Sequence, residues 1–248
     1  ISSCYKKKGE RDGCIFGKVQ FITVGDSFVG ALEPTLLQEL YKRNMGLQVN
    51  HYPQCAYLSQ KYLIHKKDNS PCIQINKARD IYYSSLPEGK TFIVFHSPSS
   101  FRNMLSSNKS LNNANLRWDD HFNQLEQLIS FGHKVVFIYG VPKPKINSRT
   151  ILNQLMVKEY KGKELYGKQT KYDIDAQYYN VKKKLKRFDN NNKFIEVDVS
   201  DIVCEQEGLK RCFDFKGGLG PIYNNKSHFS YLGAKLVVNK ILEKLSID

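Results

Sequence analysis

Apolar residues along this chain gather into short runs, and between the runs they recur at helical spacing. Five runs read as strands: 19–24 (VQFITV), 47–52 (LQVNHY), 91–96 (TFIVFH), 134–139 (KVVFIY) and 193–199 (KFIEVDV). The first, third and fourth are almost continuously apolar, as strands covered on both faces are. Helical candidates lie at about 29–44, 73–85, 118–131, 175–188 and 230–245. In the last of these, Leu232, Leu236, Val237, Ile241, Leu242 and Leu245 fall on one helical face. This alternation predicts an α/β fold, a three-layer α/β/α sandwich with a five-stranded parallel sheet and right-handed crossovers. In such sheets the working site lies beyond the carboxyl ends of the strands, near the point where strand order reverses. With no internal repeat and no second domain, residues 1–248 read as one domain. Residues 1–18 form a cysteine-bearing extension, and 143–172 form a basic insertion after strand four, a long loop or partial helix on the site side of the sheet.

Composition adds little to that picture, but charge adds more. The chain of 248 residues is 41% hydrophobic and 12% aromatic, which suits a globular protein, and it has no apolar run long enough for a membrane span. It begins at Ile1, so the expectation is a processed or excised chain whose signal or membrane segment is out of view. The net charge of +14 is concentrated: residues 143–187 hold thirteen Lys/Arg against four Asp/Glu. Such a surface suits anionic partners, namely nucleic acid, an acidic glycan or a lipid headgroup, or else it is a solvated lysine-rich loop. The absence of an aromatic-interleaved RNA signature, a zinc pattern or a helix-turn-helix pattern argues against nucleic acid.

Six cysteines fall into three local pairs, and none forms a CxxC half-site. Proximity assigns Cys4–Cys14, Cys55–Cys72 and Cys204–Cys212 as disulfides, which places the chain in an oxidising compartment, outside the cell or in the secretory lumen. The alternative is six free thiols. The sequons at Asn108 and Asn225 fit a secretory route.

Strand one ends in Gly25-Asp26-Ser27. A small residue before a serine at a strand-to-helix turn exposes the hydroxyl, and the helix presents its first amides to a developing oxyanion. Alternatively, Ser27 simply caps the helix. A serine nucleophile needs a base. His51, His65, His121 and His133 sit in ordinary elements, and His96 ends strand three and is expected to line the site. His228 stands in the last loop, immediately before the final helix.

Together these features resemble the SGNH hydrolase family. Gly25-Asp26-Ser27-Phe28 looks like its first block, and His228-Phe229-Ser230 with Gly233-Ala234 looks like its last. The likeness is closest to the SGNH domains attached to acyltransferase-3 membrane proteins. It extends to Cys204, Cys212 and the run Gly220-Pro221-Ile222-Tyr223. The resemblance implies a flavodoxin-like fold, no metal and no cofactor. It also implies a membrane acyltransferase domain in the same polypeptide as partner and source of the acyl donor. Two positions depart from the family pattern. Asn225 stands where the family has the aspartate that orients the histidine, leaving a Ser–His dyad, a decayed site or an engineered variant as readings. A glycan on Asn225 would crowd the site, so that sequon is expected to be unused. The second departure is in the oxyanion blocks: His96-Ser97-Pro98-Ser99-Ser100 after strand three holds no asparagine, and Pro53-Gln54-Cys55 after strand two holds no glycine. The Ser27 amide remains as a donor, with Ser97 or Ser99 as partner.

The resemblance thus implies serine-dependent O-acyl transfer or ester hydrolysis, of O-acetyl type, on a glycan or other hydroxylated acceptor. The competing reading is a weakened SGNH-fold module that binds an acidic glycan, lipid headgroup or protein through its basic surface.

Overall fold

The computed structural model describes residues 14–62, 64–65, 71–144, 164–216, 220–224 and 228–247. They fall into two compact units, one within Ile1–Phe137 and Lys184–Ile195, the other within Ile138–Lys183 and Glu196–Asp248. Along the first part of the chain run β1 (Cys14–Phe16), β2 (Val19–Gly25), α1 (Ser27–Tyr41), β3 (Gly46–His51), β4 (Ile64–His65), α2 (Cys72–Ser84), β5 (Thr91–Phe95), α3 (Pro98–Asn103), β6 (Met104–Leu105), α4 (Ala114–Ser130) and β7 (Lys134–Tyr139). Then follow β8 (Leu165–Thr170), α5 (Lys171–Gln177), α6 (Tyr179–Leu185), β9 (Phe194–Asp198), α7 (Ser200–Val203), β10 (Arg211–Lys216), β11 (Gly220–Pro221) and α8 (Tyr231–Lys244).

The central sheet has six strands in the order β1-β3-β2-β5-β7-β9. The five predicted strands are all present, and β2 runs parallel to both β3 and β5. Numbered among themselves, these five stand in the order 2-1-3-4-5, so strand order reverses beside β2. Every residue of β5 is buried, as are the last five of β2. α1 packs against the sheet with Val29, Leu32, Leu36 and Leu40 fully buried.

The sixth strand, β1, lies inside what the sequence suggests is an extension. It pairs antiparallel with β3, Cys14 opposite Val49 and Phe16 opposite Leu47. Three residues are too few to display a period, and an edge strand is held by backbone pairing more than by side-chain pattern. The helix expected over 175–188 is two helices, α5 and α6, with a single 3₁₀ turn after them. Ile174, Tyr178, Val181, Leu185 and Phe188 are all buried. Their spacing keeps one apolar stripe running through the break, which is why periodicity hides it.

Within the second unit, β8, β10 and β11 form an antiparallel sheet, with Arg211 opposite Thr170 and Phe215 opposite Pro221. Residues 165–170 are therefore strand rather than loop or partial helix, and 145–163 of the basic insertion lie outside the described residues. β8 (LYGKQT) is polar and half-exposed, and β10 is buried on both faces over its middle four residues, so neither shows clean alternation. α8 buries Ala234, Val237, Val238, Ile241 and Leu242, so of the stripe read from the sequence Val237, Ile241 and Leu242 face the core, while Leu232, Leu236 and Leu245 are half-exposed.

Cys55 is bonded to Cys72, joining the loop after β3 to the start of α2 within a cluster of Ala56, Leu58, Tyr62, Phe101 and Met104. Cys204 is bonded to Cys212 in the second unit. Cys4 lies outside the described residues, so the Cys4–Cys14 pairing does too.

Several cations of the basic stretch meet carboxylates close by. Lys182 bridges Asp175 (2.6 Å) and Asp198 (2.7 Å), Lys171 pairs with Asp201, Lys184 with Asp119, and Arg187 with Glu126. Four of the thirteen cations in this stretch are thus paired locally.

Candidate active site

β2 ends in a turn that only glycine allows. A Cβ on Gly25 would lie 2.1 Å from the Phe95 carbonyl oxygen and 2.8 Å from Val29 Cγ1, so the backbones of β2 and β5 approach at a distance no side chain permits. The next residue, Asp26, caps α1: its Oδ1 accepts from the Phe28 amide at 2.8 Å. Ser27 is therefore the first helical residue and not its cap. The second carboxylate oxygen of Asp26 accepts from the Ser97 amide (2.9 Å), the Ser97 hydroxyl (2.8 Å) and the Ser100 hydroxyl. Asp26 is buried and ties the end of β2 to the loop after β5, 71 residues away. Ser27 is thus held at the reversal of strand order, where an α/β sheet places its ligands.

The same network decides what Ser97 offers. Both its donors, amide and hydroxyl, are turned to Asp26, so neither faces a substrate oxyanion. Ser99 is exposed, with its hydroxyl 2.7 Å from that of Ser97. His96 is enclosed rather than site-lining. Its ring packs edge-on against Phe101 and against His121, at centroid distances of 5.5 and 5.0 Å. The Tyr57 backbone serves both rings, its amide donating to His96 Nε2 (3.5 Å) and its carbonyl meeting His121 Nδ1 (2.8 Å). Burial holds both imidazoles neutral, pushing His121 down to about 4 and His96 well below its ordinary value.

Those depressed values predict acid sensitivity. An unfolded histidine takes up its proton near pH 6.5, and a folded His121 does so only near pH 4. Stability is therefore complete above pH 6.5 and falls as pH drops from 6.5 towards 4, by about 3 kcal/mol for His121 alone. Urea unfolding midpoints measured across that window are expected to fall, and a His121→Leu variant is expected to flatten the slope.

Sequence reasoning passed over one further group. His51, at the end of β3, holds Nδ1 2.6 Å from Glu33 Oε2, and Glu33 is fully buried in α1. Nothing in the local pattern marks it, because the two residues meet only when α1 lies over β3.

In the second unit, His228 is half-buried and precedes Ser230, which caps α8 by accepting from the Gly233 amide at 3.1 Å. The His228 carbonyl accepts from the Asn224 amide (2.9 Å), and the Tyr223 and Phe229 rings stack at 5.7 Å. Gly233 is required here, since a Cβ would lie 2.1 Å from the Ile222 carbonyl oxygen. Asn225 and its sequon lie outside the described residues, as does the side chain of His65. Among the described residues no group of three or more His, Cys, Asp and Glu is placed to hold a metal, and no helix is long and apolar enough to cross a membrane.

A serine held at the strand-order reversal of a 2-1-3-4-5 sheet places the chain among the doubly wound α/β proteins. The chain belongs to the family of SGNH domains fused to AT3 domains, whose model matches residues 3–243. Among solved structures it is similar to the periplasmic domain of the lipopolysaccharide acetyltransferase of Salmonella ser. Paratyphi A, with 17% identity and a TM-score of 0.66 over 94% of this chain and 86% of that one. A second, more distant likeness is to the C-terminal catalytic domain of Streptococcus pneumoniae peptidoglycan O-acetyltransferase A, with 13% identity and a TM-score of 0.41 over 93% and 94% of the two chains. No curated protein sequence matches the chain.

Proposed function

We propose that the chain is an SGNH-type O-acyltransferase or esterase that carries a short acyl group, of acetyl type, on Ser27 and delivers it to a hydroxyl. The observation that carries this reading is the Gly25-Asp26-Ser27 turn. It sits at the strand-order reversal, is braced by Asp26 against Ser97 and Ser100, and sets Ser27 at the first position of α1. Ser27 Oγ adds to the acyl carbonyl and its proton passes to His228. The acyl-enzyme is then resolved by an acceptor hydroxyl or by water. His228 is assigned on its place in the last family block, ahead of the α8 cap. The Ser27 amide, at the N-terminus of α1, faces developing negative charge.

Family membership supports a membrane AT3 domain as the partner that supplies the acyl donor. The lipopolysaccharide acetyltransferase likeness supports a glycan acceptor and a location outside the cytoplasm, and the two described disulfides agree with an oxidising compartment. On this reading the two compact units are parts of one SGNH domain. The competing reading, a decayed module that binds an anion through its basic face, draws on Asn225. The ion pairs that neutralise Lys171, Lys182, Lys184 and Arg187 weigh against it.

The test is intact-mass spectrometry after exposure to 4-nitrophenyl acetate. One acetyl group mapped to Ser27, and no gain in Ser27→Ala, is the expected result. Equal labelling of the two proteins removes Ser27 as the nucleophile.

A further inference from the structure

Of the two Asn-x-Ser triplets in the chain, Asn108-Lys109-Ser110 lies wholly within the described residues. It stands in the loop that leads from β6 to α4. One pair of residues closes the neck of that loop. Asn112 Oδ1 accepts from the Ser106 amide at 2.7 Å, and Asn112 Nδ2 donates to the Ser106 carbonyl at 2.9 Å. Two more bonds tie its base to the first unit. The Tyr62 hydroxyl donates to the Leu111 carbonyl (3.2 Å), and the buried Arg117 donates to the Asn112 carbonyl (3.0 Å). Ser106 is buried, whereas Ser107, Asn108, Lys109 and Ser110 are all exposed. The triplet is therefore the tip of a pinned surface loop.

At that tip Asn108 works through one end of its carboxamide. Its Oδ1 accepts from the Ser110 amide (3.1 Å) and from the Ser110 hydroxyl (2.7 Å), capping the short 3₁₀ turn Lys109–Leu111. Nδ2 carries two hydrogens, and among the described residues no hydrogen bond engages it. A group added at Nδ2 leaves Oδ1 and one N–H in place, so the cap survives the addition.

We infer that Asn108 is a site of N-linked glycosylation. Asn-x-Ser, with x other than proline, is the acceptor triplet for this modification in secreted chains. The two described disulfides agree with such a route. The donor is an oligosaccharide joined through a diphosphate to a lipid, and the compartment supplies it together with the transferase. Asn108 Nδ2 bonds to the sugar C1 as the bond from C1 to the diphosphate oxygen breaks. The diphosphate leaves with the bonding pair, and one Nδ2 proton passes to a base of the transferase. The triplet is read as the chain enters the compartment, so the finished fold has only to leave room for the product. An exposed loop tip does so, since the sugar projects into water and no buried group is uncovered. The inference rests on a location in the secretory lumen or outside the cell, and it is independent of the chemistry of Ser27.

The experiment secretes the full chain from cultured eukaryotic cells behind a cleavable signal peptide. Intact mass is taken before and after peptide N-glycosidase in heavy-oxygen water, which converts a glycosylated asparagine to a labelled aspartate. The expected result is loss of an oligosaccharide and an enzyme-dependent label at position 108. Asn108→Gln and Ser110→Ala are each expected to abolish that label. Ser110→Thr, which keeps the hydroxyl, and Asn225→Gln are expected to retain it. Non-reducing peptide maps of the same protein report the Cys55–Cys72 and Cys204–Cys212 bonds. A secreted protein with both disulfides formed and no label at position 108 overturns this inference alone. So does a label at Asn225 only, or one that appears without the enzyme, which marks spontaneous deamidation. A chain that is retained in the cell with free thiols overturns the location, and this inference with it.

Discussion

Replacing Asn225 by aspartate is expected to raise the rate of Ser27 acetylation by about two to four powers of ten. A neutral imidazole serves as base for a serine only in the tautomer with its proton on Nδ1, and the imidazolium that forms must be stabilised. A carboxylate does both. An amide holds the ring without selecting that tautomer and offers no charge to the imidazolium. In serine proteases the reverse exchange, Asp→Asn, costs about 10⁴ in turnover, which sets the upper end of the expected gain. Rapid-quench intact mass with 4-nitrophenyl acetate measures it directly. A rate unchanged to within about twofold removes any role for a carboxylate at position 225 in the proposed Ser27–His228 site.

The second large effect is on stability. Asp26→Ala is expected to destabilise the first unit by about 3–5 kcal/mol, because the Phe28 amide, the Ser97 amide and the Ser97 and Ser100 hydroxyls all lose their acceptor at once. Three of these four donors belong to Ser97 and to Ser100 of α3, so the loss also releases the tie that holds Ser27 in place, and acetylation is expected to fall with stability. Asp26→Asn keeps an acceptor oxygen and is expected to cost less. Urea unfolding followed by far-ultraviolet circular dichroism gives the difference, and a cost below about 1 kcal/mol for Asp26→Ala refutes the bracing role.

The parallel strands could be read in advance because each buries most of its length, and burial along a strand is written in consecutive residues. β2, β5 and β7 appear as apolar runs for that reason. The Gly25-Asp26-Ser27 turn was equally legible, since its residues are adjacent and their position follows from the end of the strand. The two-helix break at Tyr178 was not, because the buried stripe continues through it. Nor was β8, whose residues are half-exposed and bear no period.

The chain's own pattern of apolar residues therefore determined the strand–helix alternation, the parallel sheet and the edge at which Ser27 stands. Only the tertiary structure decided which groups meet at that edge. Asp26 meets Ser97 across 71 residues and His51 meets Glu33 across 18. Periodicity reports how a segment is buried, since burial acts on neighbours in sequence. A hydrogen bond between segments depends on strand order and register, which no local stretch of sequence records.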